Sequence, residues 1–178
     1  MQQVRVLACG LVCWLLLTGC GLKQRQIEKQ LGLPGFLLSD FKYVAISTTG
    51  QKEWELKASE ASMYQNSDDV TIYNFTVAFY RVSNNTEVLD SFLSANKGQI
   101  NKRSLLVIAE GNVKILASDT SLETQRIQWD NTKKQFFSEP GVLVVVTRRG
   151  VKLQGYNLVA DASLKEIRME QINATIRE

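Results

Sequence analysis

The chain has 178 residues, 44% hydrophobic and 22% charged, a composition that specifies a folded domain rather than a disordered tail. Its 21 Lys and Arg against 18 Asp and Glu leave a net charge of +3, far short of the concentrated basic surplus of a nucleic-acid-binding protein. There is no histidine, which excludes histidine general bases, Ser-His and Cys-His nucleophile pairs and histidine metal sites.

Residues 1–19 read as a secretory leader: one positive charge, Arg5, an apolar stretch from Val6 to Leu17, then Thr18-Gly19 before Cys20. The stretch is too short for a spanning helix, which needs roughly 20 residues. Its end, Leu17-Thr18-Gly19-Cys20, resembles the lipobox of bacterial lipoproteins, so cleavage before Cys20 and acylation of that cysteine are expected. All three cysteines, Cys9, Cys13 and Cys20, lie in the leader or at the cut, leaving the body without a thiol or disulfide. Several acyl chains, at about 0.8 kcal/mol per buried methylene, tether a protein to a membrane and leave the following domain free to be soluble.

Residues 20–40 are read as the lipidated cysteine and a tether that ends in the Gly32-Leu33-Pro34-Gly35 turn. Phe36-Leu37-Leu38 is expected to open the fold rather than to touch the membrane. From there to residue 178, with the domain boundary placed at 41, the dominant period is two: Val44 and Ile46; Trp54, Leu56 and Ala58; Phe75, Val77 and Phe79; Val113 and Ile115; Val142, Val144 and Val146; Val151 and Leu153. Such alternation marks strands with one buried face. Turn formers separate them, among them Asn84-Asn85, Asn101-Lys102-Arg103-Ser104, Ser118-Asp119, Asp130-Asn131 and Arg149-Gly150, and no helical periodicity intervenes. An all-β antiparallel domain follows.

A weak repeat overlies this pattern. Leu56-Ala58-Ala61, Leu122-Thr124-Ile127 and Leu153-Gly155-Leu158 each place an apolar residue, a small residue two positions on, and an apolar residue three further. Two-strand units of roughly 30 residues, repeated about four times, predict an elongated jelly-roll-like sandwich of stacked hairpins with an edge strand open at each end.

With these features in order, the chain resembles the LptC family, the periplasmic C components of the lipopolysaccharide transport system. The resemblance is carried by Trp54-Glu55-Leu56-Lys57-Ala58-Ser59-Glu60-Ala61, Asn74-Phe75-Thr76-Val77-Ala78-Phe79-Tyr80, Leu93-Ser94 with Gly98, Glu110-Gly111-Asn112-Val113-Lys114-Ile115, Leu122-Glu123-Thr124, Ile127-Gln128-Trp129-Asp130, and Gly155, Leu158 and Ala160-Asp161. It implies a twisted, boat-shaped β-jelly roll that holds lipopolysaccharide acyl chains in an apolar groove. It also implies attachment to an inner-membrane ABC transporter and delivery to an LptA-like bridge protein. The best-known members are held by an N-terminal transmembrane helix, where this chain has a lipobox. Gly21 is not the aspartate that favours inner-membrane retention, so either membrane fits the anchor.

A lipid conduit needs an apolar lining rather than a reactive group. The candidate lining is Trp54, Leu56, Ile72, Val77, Val113, Ile115, Ile127, Trp129, Val144 and Leu153, each of which serves equally well as ordinary core. Gly111 and Gly155 each fit a bulge, a turn or a place where backbone approaches ligand, with turn chemistry the expected role. Lys102-Arg103 and Arg148-Arg149 are expected at solvated hairpin ends, with contact to lipid phosphates as the alternative. In the last segment Ile167, Met169, Ile172 and Ala174 alternate with a phase slip at Glu170-Gln171, which a bulge or a break into two strands would give, and as the terminal edge strand it either docks the next bridge protein or is blunted by its charges. The acid pairs Asp68-Asp69 and Asp161 with Glu166 fall in predicted turns without a nucleophile or metal-ligand spacing, so neither catalysis nor a cofactor is expected. A structural lipoprotein with a closed β-core that docks an envelope partner is the competing reading.

Overall fold

A strand rich in Val, Ile, Phe and Thr with one apolar face must lay that face against another sheet. The computed structural model describes residues 35–64, 67–84 and 86–176, and these hold ten antiparallel strands and no helix. The strands are β1 (Phe36–Ile46), β2 (Lys52–Met63), β3 (Asp69–Ser83), β4 (Thr86–Asn101), β5 (Leu106–Ala117), β6 (Thr120–Asp130), β7 (Gln135–Phe137), β8 (Val144–Arg148), β9 (Val151–Asp161) and β10 (Ile167–Ile176). They form one sheet in which β1 to β6 succeed one another as a meander. Both β7 and β8 pair with β6 on one side and β9 on the other, so they are two halves of one interrupted strand, and β10 pairs with β9. The all-β antiparallel class and the recurring hairpins agree with expectation. The fold starts earlier than the boundary at residue 41, because Phe36–Ser39 already pairs with Glu60–Met63.

The sheet is folded along a crease that crosses its strands near their middles. Asp40, Asn74, Gly111, Asn112, Asn157 and Gln171 all have positive φ, between 44° and 74°. Asp40 and Asn74 fall in register on either side of Ser59, Asn74 faces Asn96, and Gly111 packs beside Asn96. A left-handed residue inside a strand breaks the alternation and bends the chain, and Asn, Asp and Gly adopt that conformation at least cost. The buried series skips one place at this row, in β3 and β9 at their own left-handed residue and in β2, β4 and β6 opposite those of the neighbouring strands: Ala58 to Ala61 in β2, Ile72 to Phe75 in β3, Ala95 to Gly98 in β4, Thr124 to Ile127 in β6 and Gly155 to Leu158 in β9. The repeat of an apolar residue, a small residue and a third-place apolar residue is this skip.

The crease divides the sheet into two leaves whose inner faces pack together. Phe79 of the first leaf meets Trp129 of the second at 4.5 Å between ring centroids and Phe136 at 5.1 Å. Glycines stand on the inside of the spine where the bent strands crowd their neighbours. A Cβ on Gly98 would lie 2.7 Å from the Ile108 carbonyl oxygen and from the Phe75 ring, and one on Gly155 would lie 2.8 Å from the Glu170 carbonyl oxygen.

Candidate functional site

Nine of the ten strands place buried apolar residues in the interior between the leaves, β1 with Ala45 alone and β7 with Phe136 alone, and β10 adds the partly buried Ile167 and Met169. The ten candidate lining residues do converge on it. Trp54 and Leu56 enter from β2, Ile72 and Val77 from β3, Val113 and Ile115 from β5, Ile127 and Trp129 from β6, and Val144 from β8, all 3% exposed or less. Leu153 on β9 is half-buried and packs against the same cluster.

Opposite the spine, side chains close the gap between the leaves. Trp54 Nε1 donates to Asn131 Oδ1 at 2.9 Å, and Lys134 Nζ donates to Glu53 Oε2 at 2.6 Å, joining the start of β2 to the β6–β7 turn. Farther along, Arg148 Nε donates to Thr120 Oγ1 at 2.7 Å, and its Nη2 donates to the Leu164 carbonyl oxygen in the β9–β10 turn. Arg148 is therefore half-buried in a clasp rather than a solvated hairpin end, while Lys102, Arg103 and Arg149 are exposed as expected. Arg149 Nε bonds Asp119 Oδ2 at 2.6 Å and holds that carboxyl below its ordinary range against the opposing pull of burial. Asp119 in turn accepts from Thr120 Oγ1 at 3.1 Å, so the two arginines share one network.

Between these closures lies a mouth cavity of about 290 Å³. Trp54, Phe79 and Trp129 form its floor, and Glu53, Lys134 and Asp90 stand on its lip. Sequence reasoning selected the two tryptophans and missed Phe79 and Phe136 as partners of Trp129. Phe79 lies in a period-two run that marks it, whereas Phe136 sits in a strand of three residues with no period to read.

The remaining sequence features resolve in local terms. Gly111 stands at positive φ in a bulge of β5, one of the three roles its sequence setting allowed. Gly155 serves no turn; it lies within β9, and its bare Cα admits the backbone of β10. Asp68 forms an ion pair with Arg103, and Asp161 accepts from the backbone N–H of Ser163 and Glu166 and so caps the β9–β10 turn. The last strand carries the anticipated irregularity, with register shifts between Arg168 and Asn173 and Gln171 at positive φ. Ile167 and Met169 are half-buried against the core, and Ile172 and Ala174 are exposed on a strand that, among the described residues, pairs only with β9. Cys20 and the leader lie outside the described residues.

A family model described as "LptC: Lipopolysaccharide-assembly, LptC-related" matches residues 4–176, nearly the whole chain. No curated protein matches it. The folded antiparallel sheet, its apolar interior and this match agree, and the chain belongs to the LptC-related family of lipopolysaccharide-assembly proteins, periplasmic and inner-membrane-associated components of lipopolysaccharide transport.

Proposed function

We propose that the chain binds lipopolysaccharide acyl chains between its two leaves, receives the lipid from the inner-membrane ABC transporter and passes it to an LptA-like bridge protein. In this reading a lipid on Cys20 holds it at the periplasmic face of the inner membrane, and β10 offers its unpaired backbone, with Ile167, Met169, Ile172 and Ala174, to a strand of the bridge. The carrying observation is the apolar inner face, shared by strands along the sheet, which reaches a mouth cavity bridged by the polar contacts of Trp54 with Asn131 and Lys134 with Glu53. Apolar lining stabilises an acyl chain by about 25 cal/mol per Å² withdrawn from water, and the transfer needs no bond to be made or broken. The energy for directional movement belongs to the transporter.

One observation favours the competing reading of a closed scaffold that docks an envelope partner: Trp54, Leu56, Ile72 and Ile115 are 0% exposed. A polar substitution such as Ile72→Asp does not separate the two, because at a fully enclosed site it costs several kcal/mol under both. Photo-crosslinking in living cells does. With the crosslinking amino acid at Leu153, the half-buried member of the lining, and at Ile72, a glycolipid adduct is expected at both and none at exposed Lys102. Folded protein without an adduct at either inner position supports the scaffold instead.

A further inference from the structure

Among the described residues, two buried side-chain polar atoms lack a hydrogen-bond partner: Trp129 Nε1 and Ser91 Oγ. They are not scattered. Ser91 faces Phe79 across the β3–β4 ladder, and the Trp129 ring lies 4.5 Å from that of Phe79, so both orphans flank one aromatic side chain. Trp129 and Phe79 line the mouth cavity; Ser91 does not itself line it, and reaches it only as the cross-strand partner of Phe79. Ser91 is 1% exposed and Trp129 3%, and folded proteins leave few such groups unpaired because each has given up water without replacement. The same wall shows the alternative: Trp54 Nε1, equally buried, has its partner in Asn131.

The charges on the lip are matched among themselves, Lys134 with Glu53 at 2.6 Å and Arg81 with Asp90 at 2.6 Å. The unmet demand inside is thus for a neutral oxygen: an acceptor for the indole N–H, and an acceptor or donor for the hydroxyl.

We propose that this cavity receives an oxygen-bearing stretch of an acyl lipid, an ester or amide carbonyl or a chain hydroxyl that accepts from Trp129 Nε1 and hydrogen-bonds Ser91 Oγ. The inference rests on the acyl-binding reading above and adds a depth to it. A purely apolar wall lets a chain slide, whereas a hydrogen bond to one oxygen sets how far the chain enters.

The test uses the full-length chain kept soluble in a fluorinated surfactant, into which hydrocarbon partitions poorly. Two probes are titrated: methyl 3-hydroxytetradecanoate, which carries a carbonyl and a hydroxyl, and tetradecane, which carries neither. The ester is expected to shift the ¹⁵N-indole resonance of Trp129 downfield and leave that of Trp54 in place. Trp129→Phe is expected to weaken the ester about tenfold, the worth of one hydrogen bond, and tetradecane hardly at all. Retained tetradecane binding reports an intact pocket; if Trp129→Phe loses it, Ser91→Ala and the wild-type indole shift decide the matter. Equal effects on the two probes, or an unmoved indole signal while the ester binds, overturn this inference and leave acyl binding standing. Wild-type protein that binds neither probe overturns both.

Discussion

The spine and the mouth of the folded sheet close the same interior by different means. Along the spine the leaves are joined by backbone: positive-φ residues such as Asn74 and Asn157 bend the strands, and Gly98 and Gly155 admit the chain beside them. Across the mouth every such joint runs through a side chain, Trp54 to Asn131, Glu53 to Lys134 and Arg148 to the Leu164 carbonyl. Backbone packed at van der Waals distance yields only by deforming the sheet. A half-exposed ion pair or single hydrogen bond contributes about 1 kcal/mol and exchanges readily for water. The difference teaches that any opening of this molecule toward a ligand belongs to the mouth, with the spine as hinge.

The largest effect is expected from the spine. Gly98→Ala puts a methyl 2.7 Å from the Ile108 backbone oxygen and from the Phe75 ring, and a backbone neighbour cannot step aside as a side-chain tip can. Denaturant unfolding should show a loss of about 2–3 kcal/mol. A loss under about 0.5 kcal/mol would mean that the crease flexes, and the contrast with the mouth would fail.

The spine was legible in the sequence as a pattern before it had a meaning. Leu56-Ala58-Ala61, Leu122-Thr124-Ile127 and Leu153-Gly155-Leu158 repeat because β2, β6 and β9 each restart their alternation after the same bend. The bend itself was hidden, since an Asn within a strand, such as Asn74, looks no different from a surface polar residue until its neighbours are in register. The mouth was less legible because its contacts join residues far apart in the chain. Trp54 and Asn131 are 77 positions apart, so nothing local distinguishes the satisfied indole of Trp54 from the unsatisfied one of Trp129. Leu164, fully buried in a turn, and Arg148, drawn into the clasp, likewise owe their environments to packing between the β8–β9 end and the β9–β10 turn.

A smaller effect is expected at the mouth. Glu53→Gln removes the charge opposite Lys134 and weakens the acceptor for Asn131 Nδ2, while Trp54 keeps its own bond to Asn131. With the two side chains 26% and 48% exposed, the change in global stability should stay below about 1 kcal/mol. Opening should respond more than unfolding: hydrogen exchange at the Trp54 indole is expected to quicken in the variant, and raised salt should quicken it in the wild type but not in Glu53→Gln. Equal exchange in both proteins at all salt concentrations would show that this bridge does not govern the mouth.

The smallest effect concerns pH at the other clasp. The hydrogen bond from Arg149 lowers the Asp119 carboxyl below its ordinary value of 3.8, burial opposes this, and Thr120 adds to the lowering. A carboxyl depressed in the folded state binds its proton more readily when unfolded, so its contribution is fully present above about pH 4 and is lost as the pH falls through the folded value. Asp119 touches the clasp through Thr120, which also accepts from Arg148. Between pH 7 and pH 5 the wild type and Asp119→Asn should therefore show parallel melting temperatures. Below pH 4 the wild type should fall toward the variant, whose asparagine has no proton to take up. Curves that stay parallel to pH 3 would place Asp119 outside the clasp and leave the hold on the β9–β10 turn to Arg148 alone.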